Sequence, residues 1–348
     1  MFHEFWRPDY VVMHADFYEW QFHRNPYIPD DFEDSVLLAL DDDTLVGFLG
    51  LVPTLFHVGS SLVHGTWLSN WLSHPDYRHR GIGVFLLRNA MDRFPIVAST
   101  ALSESARPIY HGLRFQYLDL MDRLLLIFDP LQAAALLEKP DREATDVLRR
   151  LARRVARADL AGADFRWTTV YPPDAADLVR RVRPAESLMA TRDIKYLTWR
   201  YTEHPSIRYY GFVERCSGDL EGLAVVRIET VRHRRERVGR LIEWFASEAG
   251  RAGLASRVLG FCRSEGCAFV DFFCTSRRFT TDLEQLGFIS ESEIANIVVP
   301  YLFQPLDHSR RGTNVVVWHS LDGSQGALAS HFESWYVTKG DNDQDRPN

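Results

Sequence analysis

The sequence predicts an α/β fold, with a mixed sheet in each of two tandem domains and helices flanking both sheets. Three observations favour this architecture: strand-like and helix-like segments alternate along the 348 residues, one ten-residue pattern occurs twice, and a hairpin-like pair of strands follows each copy. The chain is long enough for two hydrophobic cores. Its 46% hydrophobic and 25% charged residues are ordinary proportions for a globular protein.

The repeated pattern has the form aromatic-x-x-Trp-Gln/Arg-aromatic-x-x-Asn/His-Pro. It occupies residues 17–26 and again 196–205, so that Trp20 and Trp199 stand 179 positions apart. The strand-like runs that follow are residues 36–40 and 45–52 in the first half, and residues 209–213 and 223–228 in the second. Because each copy precedes a comparable strand pair, each half is predicted to begin an equivalent structural unit.

The whole-chain composition excludes several classes of protein. With 40 basic and 47 acidic residues the net charge is −7, which argues against a nucleic-acid partner. The four cysteines have no histidine cluster near them, so we expect free thiols and no metal site. No apolar run approaches the ~20 residues of a membrane span, and residues 1–7 do not resemble a signal peptide. A cytoplasmic location is therefore expected.

The most informative stretch is Arg78-His79-Arg80-Gly81-Ile82-Gly83, which lies between an apolar strand-like run and a helical run. Two glycines in this position let the backbone approach a ligand, and the start of the following helix offers unpaired N–H groups. Together they form an anion cradle suited to a pyrophosphate. No Gly-Lys-Ser/Thr follows, which excludes a nucleotide P-loop, and Leu86 replaces the third glycine of the dinucleotide fingerprint.

A second motif follows the next strand-like run, residues 96–101. It reads Ser103-x-x-Ala106-x-x-Ile109-Tyr110-x-x-Leu113-Arg114-Phe115. In this order and spacing, the two motifs resemble the GNAT superfamily of acyl-CoA-dependent N-acyltransferases. The lead-in Ser73-His74-Pro75-Asp76-Tyr77-Arg78 departs from the family pattern only at Ser73, where an aliphatic residue is usual. In the second motif, Ser103 replaces an Asn and Arg114 replaces a Gly.

The resemblance implies that acetyl-CoA, or another acyl-CoA, is the co-substrate. The residues implied to bind it are Leu72, Ser73, Arg78, His79, Arg80, Gly81, Ile82, Gly83, Val84 and Ser103. Tyr110 stands where the family places the tyrosine that protonates the departing thiolate. Backbone N–H groups of the strand before the loop would polarise the thioester carbonyl, and a primary amine would attack directly, without a covalent enzyme intermediate.

The general base is left open by the sequence. Some family members use a Glu on the strand before the loop, and here that strand has none. Candidates elsewhere in the first half are His14, Glu19, His23, Asp31 and Glu104, and a water relay is equally compatible with the sequence.

The second half lacks these motifs, and the resemblance therefore implies a degenerate domain. The segment that corresponds to the glycine loop reads Gly250-Arg251-Ala252-Gly253. Leu283 occupies the position that corresponds to Tyr110. The predicted organisation is a catalytic GNAT-like domain at residues 1–128, a helical connector at 129–165, a degenerate GNAT-like domain at 166–340 and a disordered tail at 341–348.

The acceptor is implied only by a coarser resemblance. The tandem halves, the repeated Trp pattern and a late Trp335…Gly340-Asp341…Asp343 element resemble bacterial tandem acyltransferases associated with surface-polysaccharide sugars. The implied acceptor is a small-molecule amine, such as that of an amino sugar, with Trp20, Ser69 and Trp71 near it. Protein amines, polyamines and aminoglycosides remain open. So do an aminoacyl-transferring relative and a non-enzymatic protein that binds CoA or a sugar, and the oligomeric state is not predicted.

Overall fold

A computed structural model describes residues 10–155, 165–275, 277–294, 296–304, 306–308, 313–343 and 345. The strands are β1 (Val36–Asp41), β2 (Thr44–Val58), β3 (Ser61–Ser73), β4 (Ile96–Thr100), β5 (Gln116–Ile127), β6 (Leu188–Ala190), β7 (Tyr210–Cys216), β8 (Asp219–Thr230), β9 (Arg237–Ala246), β10 (Cys267–Cys274), β11 (Ile289–Ser290), β12 (Leu302–Phe303), β13 (Leu306–Asp307), β14 (Thr313–His319) and β15 (Trp335–Tyr336). The α-helices are α1 (Ala15–Tyr18), α2 (Ile82–Arg93), α3 (Arg107–Gly112), α4 (Pro130–Ala135), α5 (Arg142–Val155), α6 (Ala175–Val182), α7 (Ile194–Leu197), α8 (Glu248–Ser264), α9 (Thr281–Gln285) and α10 (Gly323–Ala329).

Within the described residues, thirteen strands form one mixed sheet, which confirms the predicted α/β class. Its main path runs β15-β6-β2-β3-β4-β14-β5-β10-β9-β8-β7, with β1 beside β2 and β11 beside β5. The long hairpin of β2 and β3 dominates the first half, and the antiparallel β7, β8 and β9 form the second. Helices α2 and α8 pack on the two halves of the sheet.

The two halves of the chain exchange a strand across the boundary predicted from the sequence. Strand β5 of the first half pairs with β10 of the second half, and β14 pairs with β4 of the first. The exchanged strands β5 and β14 also pair with each other in the middle of the sheet. Sequence order could not show this, because the hydrophobic pattern of a buried strand does not specify which neighbour completes its hydrogen bonds.

The repeated tryptophan pattern forms the contact between the halves. Trp20 and Trp199 stack with ring centroids 5.1 Å apart, and each indole N–H donates to the other residue's backbone carbonyl at 2.8 Å. Both lie on π-helical turns, Glu19–His23 and Thr198–Thr202, that continue α1 and α7. The side chain of Trp20, which the sequence predicted to lie near the acceptor, is fully buried in this reciprocal pair.

The predicted disordered tail is ordered and buried at Asp341, Asn342, Asp343 and Asp345, while residues 344 and 346–348 lie outside the described part. The polar composition of the tail suggests disorder, but buried residues from both halves bind its polar groups. Arg192 binds the Asp341 carboxylate at 2.8 Å. Helix α7 and the π-helical turn that continues it supply further donors to the backbone at the start of the tail. The tail is therefore part of the core.

Helices α4 and α5 occupy much of the segment predicted as a helical connector, whose residues 156–164 lie outside the described part. Among the described residues, no helix has the length and apolarity needed to cross a bilayer. The four cysteines are free thiols, and the described residues contain no cluster of three or more potential metal-ligating side chains.

Candidate active site

Strands β3 and β4 separate into a V, and the candidate site lies in the opening. They pair only through Thr66 with Val97 and Trp67 with Ala98, and then diverge. The divergence coincides with a bulge in β3, where the pairing with β2 shifts register and Asn70 has a φ of 54°. A cavity of about 160 Å³ fills the opening.

The loop after β3 has the geometry of an anion cradle. Residues Pro75–Arg80 form a 3-10 turn, and Gly81 follows with a φ of 76°, in the left-handed region that favours glycine. Helix α2 then begins at Ile82 without a side-chain cap, so its first N–H groups are free to bind an anion. Asp41 braces the loop by accepting from the Tyr77 hydroxyl at 2.6 Å and pairing with Arg80 at 3.7 Å.

The side chains predicted to bind acyl-CoA line this approach. Arg78, His79 and Arg80 are exposed and therefore accessible to a ligand from solvent, while Ile82 and Val84 are half-buried. Gly83 is buried beneath Trp71, and a Cβ at this position would come within 2.4 Å of the indole ring. Only glycine therefore allows the helix start to approach β3 this closely.

The ends of β3 and β4 supply further predicted residues. Leu72 is buried and Ser73 is half-buried. Both residues pair with β2 on one side of β3, and neither pairs with β4 on the other side. Ser103 is exposed at the rim of the cavity, where its hydroxyl accepts from the Ala106 N–H at 3.3 Å. Asn314 of β14 fixes the end of β4 by accepting from the Leu102 N–H at 2.7 Å.

Tyr110 lies in the cavity wall, where it is buried and where its ring packs edge-on against Trp71, with centroids 5.7 Å apart. Burial raises the pKa of Tyr110 to about 12; a hydrogen bond with Ser99 lowers the pKa and the Asp343 carboxylate raises it. The phenol therefore holds its proton at neutral pH. This is the protonation state that a general acid needs.

Asp343, which the sequence analysis did not identify as a site residue, contributes a carboxylate to the same cavity. It reaches the first half because Asn342 bridges the V: its side-chain amide donates to the Leu68 carbonyl at 3.2 Å and to the Thr100 hydroxyl at 3.0 Å. The late Gly340-Asp341…Asp343 element was the available sequence signal. Its position after the second half concealed its proximity to β3.

Much of the remaining cavity surface is polar. Ser69 accepts from the Gln21 amide at 3.0 Å and from Asn70, whose side-chain oxygen accepts from the Tyr10 hydroxyl. Of the predicted acceptor contacts, Ser69 and Trp71 line the cavity and Trp20 does not. The five base candidates considered from sequence, His14, Glu19, His23, Asp31 and Glu104, do not line it either.

The described residues of the second half carry no equivalent of this site. At the start of α8 the Ser247 hydroxyl accepts from the Gly250 N–H at 3.2 Å, so the Ser247 side chain caps this helix. Leu283 is buried, as expected for an apolar replacement of Tyr110. Glu243, on the strand that precedes α8, is buried and bound to Arg192 at 2.7 Å.

Comparisons with known proteins bear on the first half. Residues 1–98 match the family model of the acetyltransferase (GNAT) family, a region that includes the glycine loop and ends before Tyr110. No curated protein matches the chain.

Solved structures are similar to the chain at low identity. They include Saccharomyces cerevisiae N-myristoyltransferase with bound myristoyl-CoA, at 11% identity and a TM-score of 0.47 over 87% of this chain and 73% of that one. An Enterococcus faecalis protein described as a probable N-acyltransferase aligns at 12% identity and a TM-score of 0.49, over 82% of this chain and 61% of its own. A Kribbella flavida GCN5-related N-acetyltransferase aligns at 14% identity and a TM-score of 0.45, over 81% of this chain and 59% of its own.

Proposed function

From the premise that the chain carries a GNAT domain and is an N-acyltransferase, we propose that it transfers an acyl group from acyl-CoA to the primary amine of a small molecule. One observation carries this proposal: the cavity between β3 and β4 holds a protonated phenol, Tyr110, and a carboxylate, Asp343. Beside it lies the glycine loop, which leads into a helix start without a side-chain cap. These are an acid for the leaving group, a base for the nucleophile and a cradle for the pyrophosphate.

In the proposed reaction, the arginines and the first N–H groups of α2 bind the pyrophosphate, and the acyl end of the co-substrate lies in the V. Asp343 accepts a proton from the ammonium form of the acceptor, and the neutral nitrogen then attacks the thioester carbonyl and releases one further proton to solvent as the amide forms. The carbon–sulfur bond breaks, and the Tyr110 hydroxyl donates its proton to the departing thiolate. Unpaired N–H groups along the free edge of β3 would stabilise the oxyanion that forms between these steps.

We propose an amino sugar as the acceptor. The cavity offers hydroxyl and amide groups from Ser69, Asn70, Ser99 and Thr100, which suit a ligand rich in hydroxyl groups, and the ring of Trp71 provides a face on which a sugar could stack. The acceptor class is tested by supplying acetyl-CoA with amino sugars, polyamines or a lysine-containing peptide and measuring release of free CoA thiol.

Replacing Gly81 with Glu is expected to abolish acyl-CoA binding. A side chain at a φ of 76° strains the start of α2, and a carboxylate beside the cradle repels the pyrophosphate. Calorimetric titration with acetyl-CoA should show one site per chain in the unaltered protein and none in the variant.

The matched control is Gly266→Glu. Gly266 is also exposed, has a φ of 72° and has open space around its Cα, but it follows α8 in the second half. It should cost similar backbone strain without affecting affinity. Equal acetyl-CoA affinity in Gly81→Glu and the unaltered protein would contradict the assignment of the loop.

Asp343→Asn is expected to lower turnover about 100-fold near neutral pH, since the amide keeps the shape of the side chain and removes the base. The defect should shrink as the pH rises toward the pKa of the acceptor amine, because an amine that is already neutral needs no base. The measurement is a pH–rate profile of both proteins with saturating acetyl-CoA.

Glu104→Gln serves as the comparison, because Glu104 is exposed beside the cavity rim and was a base candidate from sequence. We expect its profile to superimpose on that of the unaltered protein. A defect in Asp343→Asn that stays constant with pH would indicate that Asp343 only positions the tail.

A further inference from the structure

A second cavity, of about 390 Å³, opens in the second half, where β9 ends and α8 begins. Its size lies in the range of small-molecule sites. Four arginines line it, at positions Arg181, Arg183, Arg251 and Arg278, against the two carboxylates of Glu248 and Asp282. The cavity is therefore cationic in a protein whose net charge is −7.

Two buried N–H groups in the cavity wall have no acceptor among the described residues. Trp244 is only 4% exposed, and its indole N–H is unsatisfied. The Nε of Arg251 is also unsatisfied, although its other nitrogens bind Asp282 at 2.7 Å and Gln285 at 2.8 Å. A buried donor without an acceptor costs free energy, and an acceptor atom brought by a ligand would offset this cost.

Arg183 adds a positive charge that no carboxylate neutralises in the described part of the chain. It donates to two neutral acceptors, the Gly59 carbonyl at 2.8 Å and the Ser187 hydroxyl at 3.2 Å. Burial lowers the pKa of Arg183, and the neighbouring Arg180 acts in the same direction. A bound anion would offset both effects.

Aromatic rings form the apolar wall of the cavity. Tyr336 packs against Phe245 with ring centroids 5.2 Å apart and against Phe279 at 5.0 Å, and Trp244 lies beside them. A flat group can pack on such a surface. The wall and the arginines together match a ligand that has a planar part and an anionic part.

This cavity is distinct from the candidate active site. Arg183 contacts Gly59 in the turn between β2 and β3, whereas the glycine loop follows the far end of β3 at Ser73. A strand of this length spans ~40 Å at ~3.3 Å per residue, so one small molecule cannot occupy both sites.

We propose that this second cavity binds a small organic anion, whose phosphate or carboxylate group contacts the arginines and the Trp244 N–H and whose planar part packs on the aromatic wall. Unlike the glycine loop, it would hold the anion with side chains, because α8 is capped by Ser247. The proposal does not depend on the acyl-transfer reaction.

The test is calorimetric titration of the full chain carrying Gly81→Glu, so that the glycine loop cannot contribute, with AMP, benzoate and adenosine. We expect AMP or benzoate to bind at one site and adenosine not to bind. Binding of AMP alone would identify a phosphate ligand, and binding of benzoate alone a carboxylate. Both results would support the site.

Two variants locate the binding. Arg183→Gln and Trp244→Phe should each weaken it at least about tenfold, the expected effect of losing one hydrogen bond to a charged group. The exposed Arg149→Gln should not change it, and unfolding midpoints establish that each variant is folded. The proposal is overturned if neither anion binds at millimolar concentration, or if the anion binds the folded Trp244→Phe and Arg183→Gln proteins with unchanged affinity.

Discussion

Tyr110→Phe should lower the turnover number by about two to three orders of magnitude while leaving the affinity for acyl-CoA within about twofold. In the proposed reaction the phenol protonates the thiolate. Its ring packs between Trp71 and Phe115, contacts that phenylalanine keeps. Because only the transition state uses the proton, turnover should fall and binding should not. Steady-state kinetics and acetyl-CoA titration of the same preparation measure the two quantities.

The pH dependence provides a second measure of the same group. A general acid works in its protonated form, so its contribution is present below its pKa and is lost above it. With the pKa of Tyr110 raised to about 12, turnover should not decline between about pH 9 and 10.5, where an ordinary tyrosine begins to ionise. Tyr117→Phe, which alters a half-exposed tyrosine on β5, is the control and should match the unaltered protein. Full turnover in Tyr110→Phe would exclude Tyr110 as the acid.

Arg192→Met should reduce the free energy of unfolding by about 3–5 kcal/mol, the largest effect on stability that we expect from a single substitution. Arg192 is fully buried between Glu243, at 2.7 Å, and Asp341, at 2.8 Å. Burial alone would lower the pKa of Arg192, but the two carboxylates raise it well above its ordinary value. Removing the guanidinium leaves two buried carboxylates without their cation. Urea unfolding at neutral pH measures the loss.

The same variant should also lose turnover, because Asp341 belongs to the segment that places Asn342 and Asp343 in the V. The control is Arg149→Met, which breaks an ion pair of the same 2.8 Å length on the exposed face of α5. We expect it to change the unfolding free energy by no more than about 0.5 kcal/mol. Equal effects of the two substitutions would show that the buried network does not stabilise the tail.

The sequence was most informative where function depends on local geometry. The spacing of Gly81 and Gly83 predicted a tight turn into a helix start, and the structure has it, since backbone conformation at a glycine depends on near neighbours. The α/β class was equally accessible, because alternation of apolar segments records which faces are buried. The resemblance to the GNAT family rested on the same loop, which lies within the residues 1–98 that match the family model.

Long-range pairing was not accessible. The repeat containing Trp20 was predicted to lie near the acceptor, whereas Trp20 and Trp199, the equivalent residues of the two copies, stack on each other across the halves. Asp343 was assigned to a disordered tail because its polar neighbours suggest solvent. Their partners, Arg192, Arg200 and the β3 backbone, lie 140 or more positions earlier, and no local pattern marks them.

The exchange of β5 and β14 has a consequence for biosynthesis. Strand β4 gains its second neighbouring strand only when β14 has been translated. The hydrogen bond from the Leu102 N–H to the Asn314 side chain likewise joins residues 212 positions apart. Until then a nascent chain presents the open edge of β4 to solvent, where unpaired strands favour aggregation. The first half is therefore expected to finish folding after the second has emerged, in a slow step dominated by contacts distant along the chain.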